Sequence, residues 1–384
     1  MIVVISDDIT GAAELGGIAL RYGLNTIITT DITNVLPHSD ILIIATDTRS
    51  DTESGSVRAI KHLMCKLKDK AITIYKKTDS VLRGHIVAEI KTIISYSYYR
   101  NALLLPQNPS KGRIIKDGIY YIYENKLDKT EFRNDPEYPI LSSNVNTLLN
   151  NSAKILNIDD ITLSDNNIYI ANAQNETDII IQLSKAHKHT LLSGGADFFN
   201  CIIKKEFNVY PLRKEVAKIP NANRIIIVCG STQSNSLVNE PYITEHNGYE
   251  AVMPDDVFNE HGINKWIIKL KKLYDKHETM ILNVGKRENR GKEYAVRLKR
   301  IMAEATKTLV KIHQPDILII EGGATAYSII QNLKWYNLEF KTEYSPGIVS
   351  MLYDKTEIIL KPGSYSWNDI FSRPLKRLLS TSIQ

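Results

Sequence analysis

Residues 2–11 read IVVISDDITG, a run of β-branched residues that ends in two adjacent aspartates. The run predicts a strand, and the small, amphipathic residues that follow to position 22 predict a helix capped by Thr10. The same order returns along the first half of the chain: an apolar run, a short polar segment that we call the elbow, and a helix. It is found at residues 41–50, 71–80, 102–109, 168–171 and 190–195. Continuous apolar runs of this length are typical of strands buried on both faces of a parallel sheet.

The pattern pauses over residues 209–223, a charged stretch flanked by prolines, which fits a domain boundary and, equally, a crossover strand. Beyond it the apolar runs restart, at residues 225–229, 280–284, 317–320 and 358–360. Residues 112–149 are rich in Tyr, Asn, Asp and Pro and predict a long loop over the sheet edge. We therefore predict an α/β fold of two domains, residues 1–210 and 211–384, each a mainly parallel sheet flanked by helices.

Composition and charge restrict the classes of function that we expect for the chain. The 384 residues suit two domains, and 43% hydrophobic with 24% charged residues is typical of a folded globular protein. The 48 basic and 43 acidic residues are interleaved, which argues against a nucleic-acid partner and suits an anionic small molecule. Three cysteines far apart in sequence predict a reducing, cytoplasmic compartment without disulfides or a zinc site. No apolar run approaches the ~20 residues that cross a bilayer, so we expect no membrane partner.

The polar elbows differ between the two halves of the chain. Ligands of open parallel sheets bind beyond the carboxyl ends of the strands. The elbows of the first half carry carboxylates and cations, which suit a small substrate with a carboxylate: Asp7, Asp8, Asp47, Arg49, Lys76, Lys77, Asp79, Arg83 and Arg113. The elbows of the second half carry glycines and hydroxyls, whose backbone amides and side chains suit phosphates: Gly230, Ser231, Ser234, Gly322, Gly323, Thr325, Gly363 and Ser364.

Simpler explanations exist for each elbow, because an Asp-Asp pair also caps helices and a Gly-Gly pair also packs a helix tightly on a strand. The familiar nucleotide and hydrolase motifs are missing. The sequence contains neither a G-x-x-x-x-G-K-[ST] loop nor a G-x-G-x-x-G fingerprint, and neither G-x-S-x-G nor H-E-x-x-H. The residues alone therefore indicate a two-domain α/β enzyme for an anionic small molecule.

The motifs taken together resemble the four-carbon acid sugar kinase family, whose members phosphorylate threonate, erythronate or 3-oxo-tetronate. The residues that carry the resemblance run in family order: DDITGA at 7–12, DTRS at 47–50, KKTDSVLRG at 76–84, GR at 112–113, TEF at 130–132, DP at 135–136, GS at 230–231, GGATA at 322–326, PGI at 346–348 and KPG at 361–363. The resemblance implies an N-terminal acid-sugar-binding domain and a C-terminal ATP-binding domain.

On this basis we predict that the γ-phosphoryl group of ATP passes to the terminal hydroxyl of a tetronate-like acid. The predicted catalytic residues are Asp8, Asp79, Lys77 and Arg83, with Asp8 or Asp79 orienting or deprotonating the hydroxyl. The predicted substrate-binding residues are Asp7, Asp47, Arg49, Lys76, Ser80 and Arg113. The predicted nucleotide-binding residues are Gly230, Ser231, Ser234, Gly322, Gly323, Ala324, Thr325 and Gly363. Mg²⁺ would bridge the phosphates, held by few protein ligands that the sequence does not identify.

Some elements depart from the family pattern, mostly on the nucleotide side. Ala324 replaces a usual acidic residue, and residues 363–366 read GSYS instead of Gly-x-Phe-Gly. Two alternatives therefore stay open: a hydroxy-acid enzyme that works without ATP, and a non-catalytic acid-sugar sensor on a kinase scaffold. The sequence also leaves a homodimer open.

Overall fold

A computed structural model describes residues 1–32, 35–68, 70, 72–135, 137–160, 162–212, 217, 219–232, 236–258, 260–288 and 290–371. The backbone divides into two compact units. The first unit comprises Met1–Leu212 with Lys334–Phe340, and the second comprises Arg213–Leu333 with Lys341–Gln384. The predicted domains were contiguous, whereas this division assigns residues 334–340 to the first unit.

The first unit is built on a parallel sheet. Its strands are β1 (Ile2–Ser6), β2 (Thr26–Thr29), β3 (Ile41–Ala45), β4 (Thr73–Lys77), β5 (Asn101–Leu105), β6 (Arg113–Lys116), β7 (Ile119–Ile122), β8 (Asn125–Lys126), β9 (Lys154–Leu156), β10 (Ile168–Ala171) and β11 (Thr190–Gly194). The main sheet has the order β2-β3-β1-β4-β11-β5-β10-β9, and each neighbouring pair is parallel. Because β1, β3 and β5 are buried along their whole length, their unbroken apolar runs fit a sheet covered on both faces.

Helices cover this sheet. They are α1 (Ile9–Arg21), α2 (Glu53–Leu67), α3 (Ile86–Ser95), α4 (Val145–Leu148), α5 (Glu176–Ser184) and α6 (Ala196–Phe207). Helix α2 packs against α3, and α1 packs against α6. Close approach explains Gly16 in α1, because a Cβ atom there would lie 2.0 Å from the ring of Phe340.

Three local predictions for this unit were wrong. The cap of α1 is Asp8 and not Thr10, because the Asp8 carboxylate accepts the Gly11 amide at 3.2 Å. The two lysines at the end of β4 belong to the strand itself and not to its elbow. Residues 113–126 are not a loop, because β6, β7 and β8 form a small antiparallel sheet. We call residues 113–144 the excursion.

The second unit has strands β12 (Ile225–Cys229), β13 (Gly248–Val252), β14 (Thr279–Asn283), β15 (Ile317–Glu321), β16 (Leu338–Ser345), β17 (Ile348–Tyr353) and β18 (Thr356–Lys361). Its helices are α7 (Pro241–Glu245), α8 (Glu260–Tyr274), α9 (Lys292–Ile312), α10 (Gly323–Leu333) and α11 (Asn368–Phe371). The strands β13-β14-β12-β15-β18 are parallel neighbours, and β17 joins β18 in an antiparallel hairpin. The start of β16 belongs to the first unit, where Leu338 pairs antiparallel with Ile28. The predicted α/β class is confirmed.

Candidate functional site

The sheet of the first unit brings its polar elbows together. Strand β1 lies between β3 and β4, with Ser6 level with Ala45 on one side and with Lys77 on the other. The residues that follow these positions therefore lie together at one edge of the sheet, which is formed by the carboxyl ends of the parallel strands. The predicted residues that this edge collects are Asp7, Asp8, Arg49, Lys76, Lys77, Asp79, Ser80, Arg83 and Arg113. Asp47 lies in the same elbow as Arg49, where its φ of 53° supports the tight turn after β3.

Arg49 links the two aspartates that follow β1. Its Nε donates to Asp7 at 2.9 Å, and its Nη2 donates to Asp7 at 3.0 Å and to Asp8 at 2.7 Å. Burial alone would raise the pKa of Asp7, but the positive charges of Arg49 and Lys76 hold that pKa below its ordinary value. The same carboxylates raise the pKa of Arg49 well above its ordinary value, against the effect of burial. Gly84, with φ of 92°, lies beside this pair, and a Cβ atom there would lie 3.2 Å from Asp7 Oδ2.

Asp79 is held by Arg83 and by backbone amides. Nε and Nη2 of Arg83 donate to the two carboxylate oxygens at 3.0 and 2.9 Å, and the amides of Val81 and Arg83 donate to Oδ2 at 3.1 and 3.2 Å. Burial would raise the pKa of Asp79, but Arg49 and Arg83 lower it far below the ordinary value. The remaining Nη1 of Arg83 donates to Asp135 at 2.8 Å. Arg83 is therefore fully engaged by two carboxylates.

A buried ion pair lies beneath the elbows. Nζ of Lys76 is 2.6 Å from Glu89 Oε2, and both side chains are almost fully buried, with 1% and 2% of their surface exposed. Glu89 Oε1 also accepts the hydroxyls of Thr48 at 2.6 Å and Ser56 at 2.5 Å. This one carboxylate therefore connects β4, the elbow after β3 and helix α2.

Lys77 occupies the space at the start of α1. Its Nζ donates to the carbonyl of Thr78 at 2.8 Å and lies 4.0 Å from Glu14, whose other oxygen accepts Nζ of Lys111 at 2.5 Å. Burial would raise the pKa of Glu14, but the positive charges of Lys77, Lys111 and Arg113 lower it. A Cβ atom on Gly11 would lie 2.6 Å from Asp8 Oδ1 and 3.2 Å from Nζ of Lys77. Glycine at position 11 therefore permits this close approach.

Arg113 differs from the other cations of the edge. Its Nη1 donates to the hydroxyl of Ser80, and its guanidinium carbon lies 5.6 Å from the centre of the Phe132 ring. No carboxylate of the described residues lies within ion-pair distance of Arg113, and its Nε and Nη2 have no acceptor there. A guanidinium with two donors left is suited to bind a carboxylate in bidentate fashion.

The second unit places its predicted residues at the carboxyl ends of β12, β15 and β18. Gly230 follows β12, and a Cβ atom there would lie 2.3 Å from the hydroxyl of Thr325 in α10. Gly322 has a φ of 93°, and its amide donates to the carbonyl of Lys361 at 2.9 Å. Nζ of Lys361 pairs with Glu321 at 2.8 Å, and both side chains are buried.

The other predicted residues of this unit lie nearby in the chain. Ser231 follows Gly230, and Gly323 and Ala324 open α10. Gly363 is exposed after β18, and a Cβ atom there would meet nothing within 4 Å. Ser234 lies outside the described residues. The described residues contain no group of three or more His, Cys, Asp or Glu side chains that could hold a metal ion. In the described part of the chain, no helix combines the length and apolar character needed to cross a membrane.

The sequence reasoning missed several residues of the edge. They are Glu14, Glu89, Lys111 and Tyr138, whose hydroxyl donates to the carbonyl of Arg49. Phe132 and Asp135 belong to motifs of the family resemblance, but the sequence analysis gave them no role in the site. Glu89 carried a usable signal, because it is a single acidic residue in the otherwise apolar start of a predicted helix, and a buried carboxylate needs a partner. Tyr138 of the excursion carried no such signal, since it lies outside these motifs and the residues around it follow no helical or strand periodicity.

Residues 2–196 match a family described as the sugar-binding N-terminal domain. The chain belongs to this family. The matched residues include the whole polar edge of the first unit, from Asp7 to Asp135. Membership confirms the family resemblance that the motifs predicted.

Two relatives and one solved structure extend the comparison. The D-threonate kinase of Salmonella typhimurium is 30% identical over 147 residues, which are 37% of this chain and 34% of that protein. The chain thus matches only about a third of that relative's length. The 3-oxo-tetronate kinase of Pseudomonas savastanoi pv. phaseolicola is 21% identical over 420 residues, 97% of this chain and 96% of that protein. The crystal structure of a Haemophilus influenzae protein covers 96% of this chain and 98% of its own, with a TM-score of 0.73 at 16% identity, which supports the fold.

Proposed function

We propose that this chain is a kinase that transfers the γ-phosphoryl group of ATP to the terminal hydroxyl of a four-carbon acid sugar. Its family and the names of its relatives support the substrate class. The observation that carries the proposal is Arg113, a guanidinium with no carboxylate partner among the described residues, beside a cluster of polar groups at the carboxyl edge of the sheet. An acid substrate would supply the missing negative charge.

The geometry divides the predicted cations into two groups. Arg49 and Arg83 already bind aspartates through most of their donors, so we assign them to holding the aspartates in position. Arg113 and Lys77 keep donors for a ligand, so we assign them to the substrate carboxylate and the transferring phosphoryl group. The sequence prediction divided these cations differently, with Lys77 and Arg83 as catalytic residues and Arg49 and Arg113 as substrate-binding residues.

Asp8 suits the role of orienting or deprotonating the hydroxyl better than Asp79. The Asp79 carboxylate is bound on both oxygens by Arg83 and has a lowered pKa, so it is a poor proton acceptor. Asp8 is more accessible, with 16% of its side chain exposed against 7% for Asp79. In the proposed reaction the hydroxyl oxygen bonds to the γ-phosphorus, the bond from that phosphorus to the β-γ bridging oxygen breaks, Asp8 receives the hydroxyl proton, and ADP leaves.

One feature of the second unit supports a nucleotide site, namely glycines at the carboxyl ends of its strands. Gly230 and Gly322 expose backbone at the carboxyl ends of neighbouring parallel strands, where a side chain at position 230 would collide with Thr325. The amide of Gly322 already donates to the carbonyl of Lys361, whereas Gly323 and Ala324 open α10, where first-turn amides have no partner within the helix and can donate to phosphate oxygens. When bound with the nucleotide, Mg²⁺ would neutralise phosphate charge. Because the described residues form no carboxylate cluster for a metal, we expect the phosphates to supply most of its ligands.

The proposal is tested by ADP release with Mg-ATP against a panel of four-carbon hydroxy-acids and the matching polyols. We expect ADP production that depends on one acid and is absent with its polyol. Asp8→Asn should lower kcat by roughly 100-fold or more, the usual contribution of a positioned general base. Asp79→Asn provides the comparison.

The outcomes separate the alternatives. Near-wild-type kcat in both aspartate variants would show that neither residue acts on the hydroxyl. Turnover of an acid without ATP would replace the kinase by a different hydroxy-acid enzyme. Thermal stabilisation by an acid with no turnover under either condition would indicate a sensor.

A further inference from the structure

We infer that Phe132 is a positioning residue that holds Arg113 ready for the carboxylate of the acid substrate. The inference rests on the proposed function and extends it to a residue of the excursion. Phe132 lies in a single turn of 3-10 helix, Glu131–Asn134. The centre of its ring is 5.5 Å from the guanidinium carbon of Arg83 and 5.6 Å from that of Arg113.

The two arginines use the ring differently. Arg83 is neutralised by Asp79 and Asp135, so the ring adds only packing to a side chain that is already fixed. The side chain of Arg113 donates one hydrogen bond, to Ser80, and has no carboxylate of the described residues within ion-pair distance. The π face of Phe132 therefore adds a second contact that restricts its guanidinium. A flexible arginine would have to lose its freedom of rotation each time it bound an acid.

The backbone fixes the ring in turn. The carbonyl of Phe132 accepts the amide of Ile140 at 3.1 Å and that of Asp135 at 3.2 Å. Asp135 then binds Arg83 at 2.8 Å, so the turn that carries the ring is tied to the elbow after β4. The excursion thus brings one aromatic face to Arg113, which among the described arginines of this edge has no carboxylate within ion-pair distance, and this arrangement suits the binding of an acid.

The test compares Phe132→Leu, which keeps an apolar side chain but removes the π face, with Phe132→Tyr, which keeps the ring. Phe132→Leu should raise the KM for the acid by roughly 3- to 10-fold, the size of one cation–π contact, and change kcat by less than about 2-fold. Phe132→Tyr should recover most of that loss. Weak binding of the matching polyol should not change in either variant, because the polyol has no carboxylate.

Phe258 of the second unit is a matched control, because its ring also contacts two arginines. The centre of this ring lies 5.8 Å from the guanidinium carbon of Arg287 and 5.2 Å from that of Arg297. Phe258→Leu should leave the KM for the acid unchanged. An equal loss of acid and polyol binding in Phe132→Leu, or no rescue by Phe132→Tyr, would reduce Phe132 to a packing role and overturn the inference.

Calorimetric titration of the acid without ATP distinguishes this inference from the proposed function. If the wild-type protein binds an acid but releases no ADP, the kinase proposal fails, and the same variants still test Phe132 through Kd. If the wild-type protein turns over an acid and Phe132→Leu binds it equally well, only the inference on Phe132 fails. If no acid of the panel binds, both fail.

Discussion

Replacing Glu89 by glutamine should destabilise the first unit strongly. The carboxylate is buried, pairs with Lys76 at 2.6 Å, and accepts the hydroxyls of Thr48 and Ser56. Breaking a buried ion pair by removing one partner costs about 3–5 kcal/mol, because the other charge stays buried without its partner. Glutamine keeps an acceptor for the two hydroxyls, and Lys76 keeps its bond to the carbonyl of Lys77 at 2.8 Å. We therefore expect the free energy of unfolding to fall by about 3 kcal/mol, the lower end of this range.

Urea unfolding followed by circular dichroism measures this loss, and hydrogen exchange at the amides of β1 and β4 assigns it to the first unit. A loss of this size should lower the urea midpoint by roughly 1 M. Glu176→Gln is the matched control. It breaks an exposed pair with Lys204, whose side chain is 38% exposed, and should cost less than about 1 kcal/mol.

The double variant Glu89→Gln with Lys76→Met decides whether the pair is the cause. Without the buried ammonium, the double variant should be more stable than the sum of the two single losses predicts, by about 1–3 kcal/mol of interaction energy. Strictly additive losses would mean that Lys76 and Glu89 do not interact energetically, and the reasoning from burial would be refuted.

Three further predictions follow from close contacts and charge. Gly11→Ala should lower kcat/KM at least about 10-fold with little change in the circular dichroism spectrum, because a Cβ atom would lie 2.6 Å from Oδ1 of Asp8 and 3.2 Å from Nζ of Lys77. Unchanged kinetics would contradict this role of the glycine. Burial would raise the pKa of Asp7, but the guanidinium of Arg49 that pairs with it lowers that pKa. Stability that this carboxylate provides should be present above about pH 4 and be lost as pH falls through the lowered pKa, whereas Asp7→Asn should show a shallower acid dependence in urea unfolding. Gly230→Ala should weaken ATP binding in a calorimetric titration more than acid binding, since the new Cβ atom would lie 2.3 Å from the hydroxyl of Thr325.

The sequence contained enough to predict the sheet and its polar edge. Strands buried on both faces are continuous apolar runs, and the residue after each run lies at the same edge when the strands are parallel. Asp8, Arg49 and Asp79 come from three separate elbows and meet for this reason alone. The antiparallel hairpin of β17 and β18 was not predicted as a hairpin, because apolar runs do not reveal strand direction.

What the sequence could not supply is the difference between cations of the same type. Arg49, Arg83 and Arg113 each belong to a polar motif, and residue type alone assigned Arg49 and Arg113 to substrate binding and Arg83 to catalysis. Their roles separate only when the carboxylates around each one are known. Three aspartates pair with Arg49, namely Asp7, Asp8 and Asp79, and Arg83 pairs with Asp79 and Asp135. None of the described carboxylates pairs with Arg113.

Asp135 and Phe132 come from the excursion, where no periodicity predicts position, so the neutralised and the available guanidinium could not be distinguished in advance. A positive charge that has no carboxylate partner within the protein is therefore a more direct guide to where an acid binds than residue type alone. By that measure we propose Arg113 as the acid-binding group of this edge, with the aspartate-bound arginines as the framework around it.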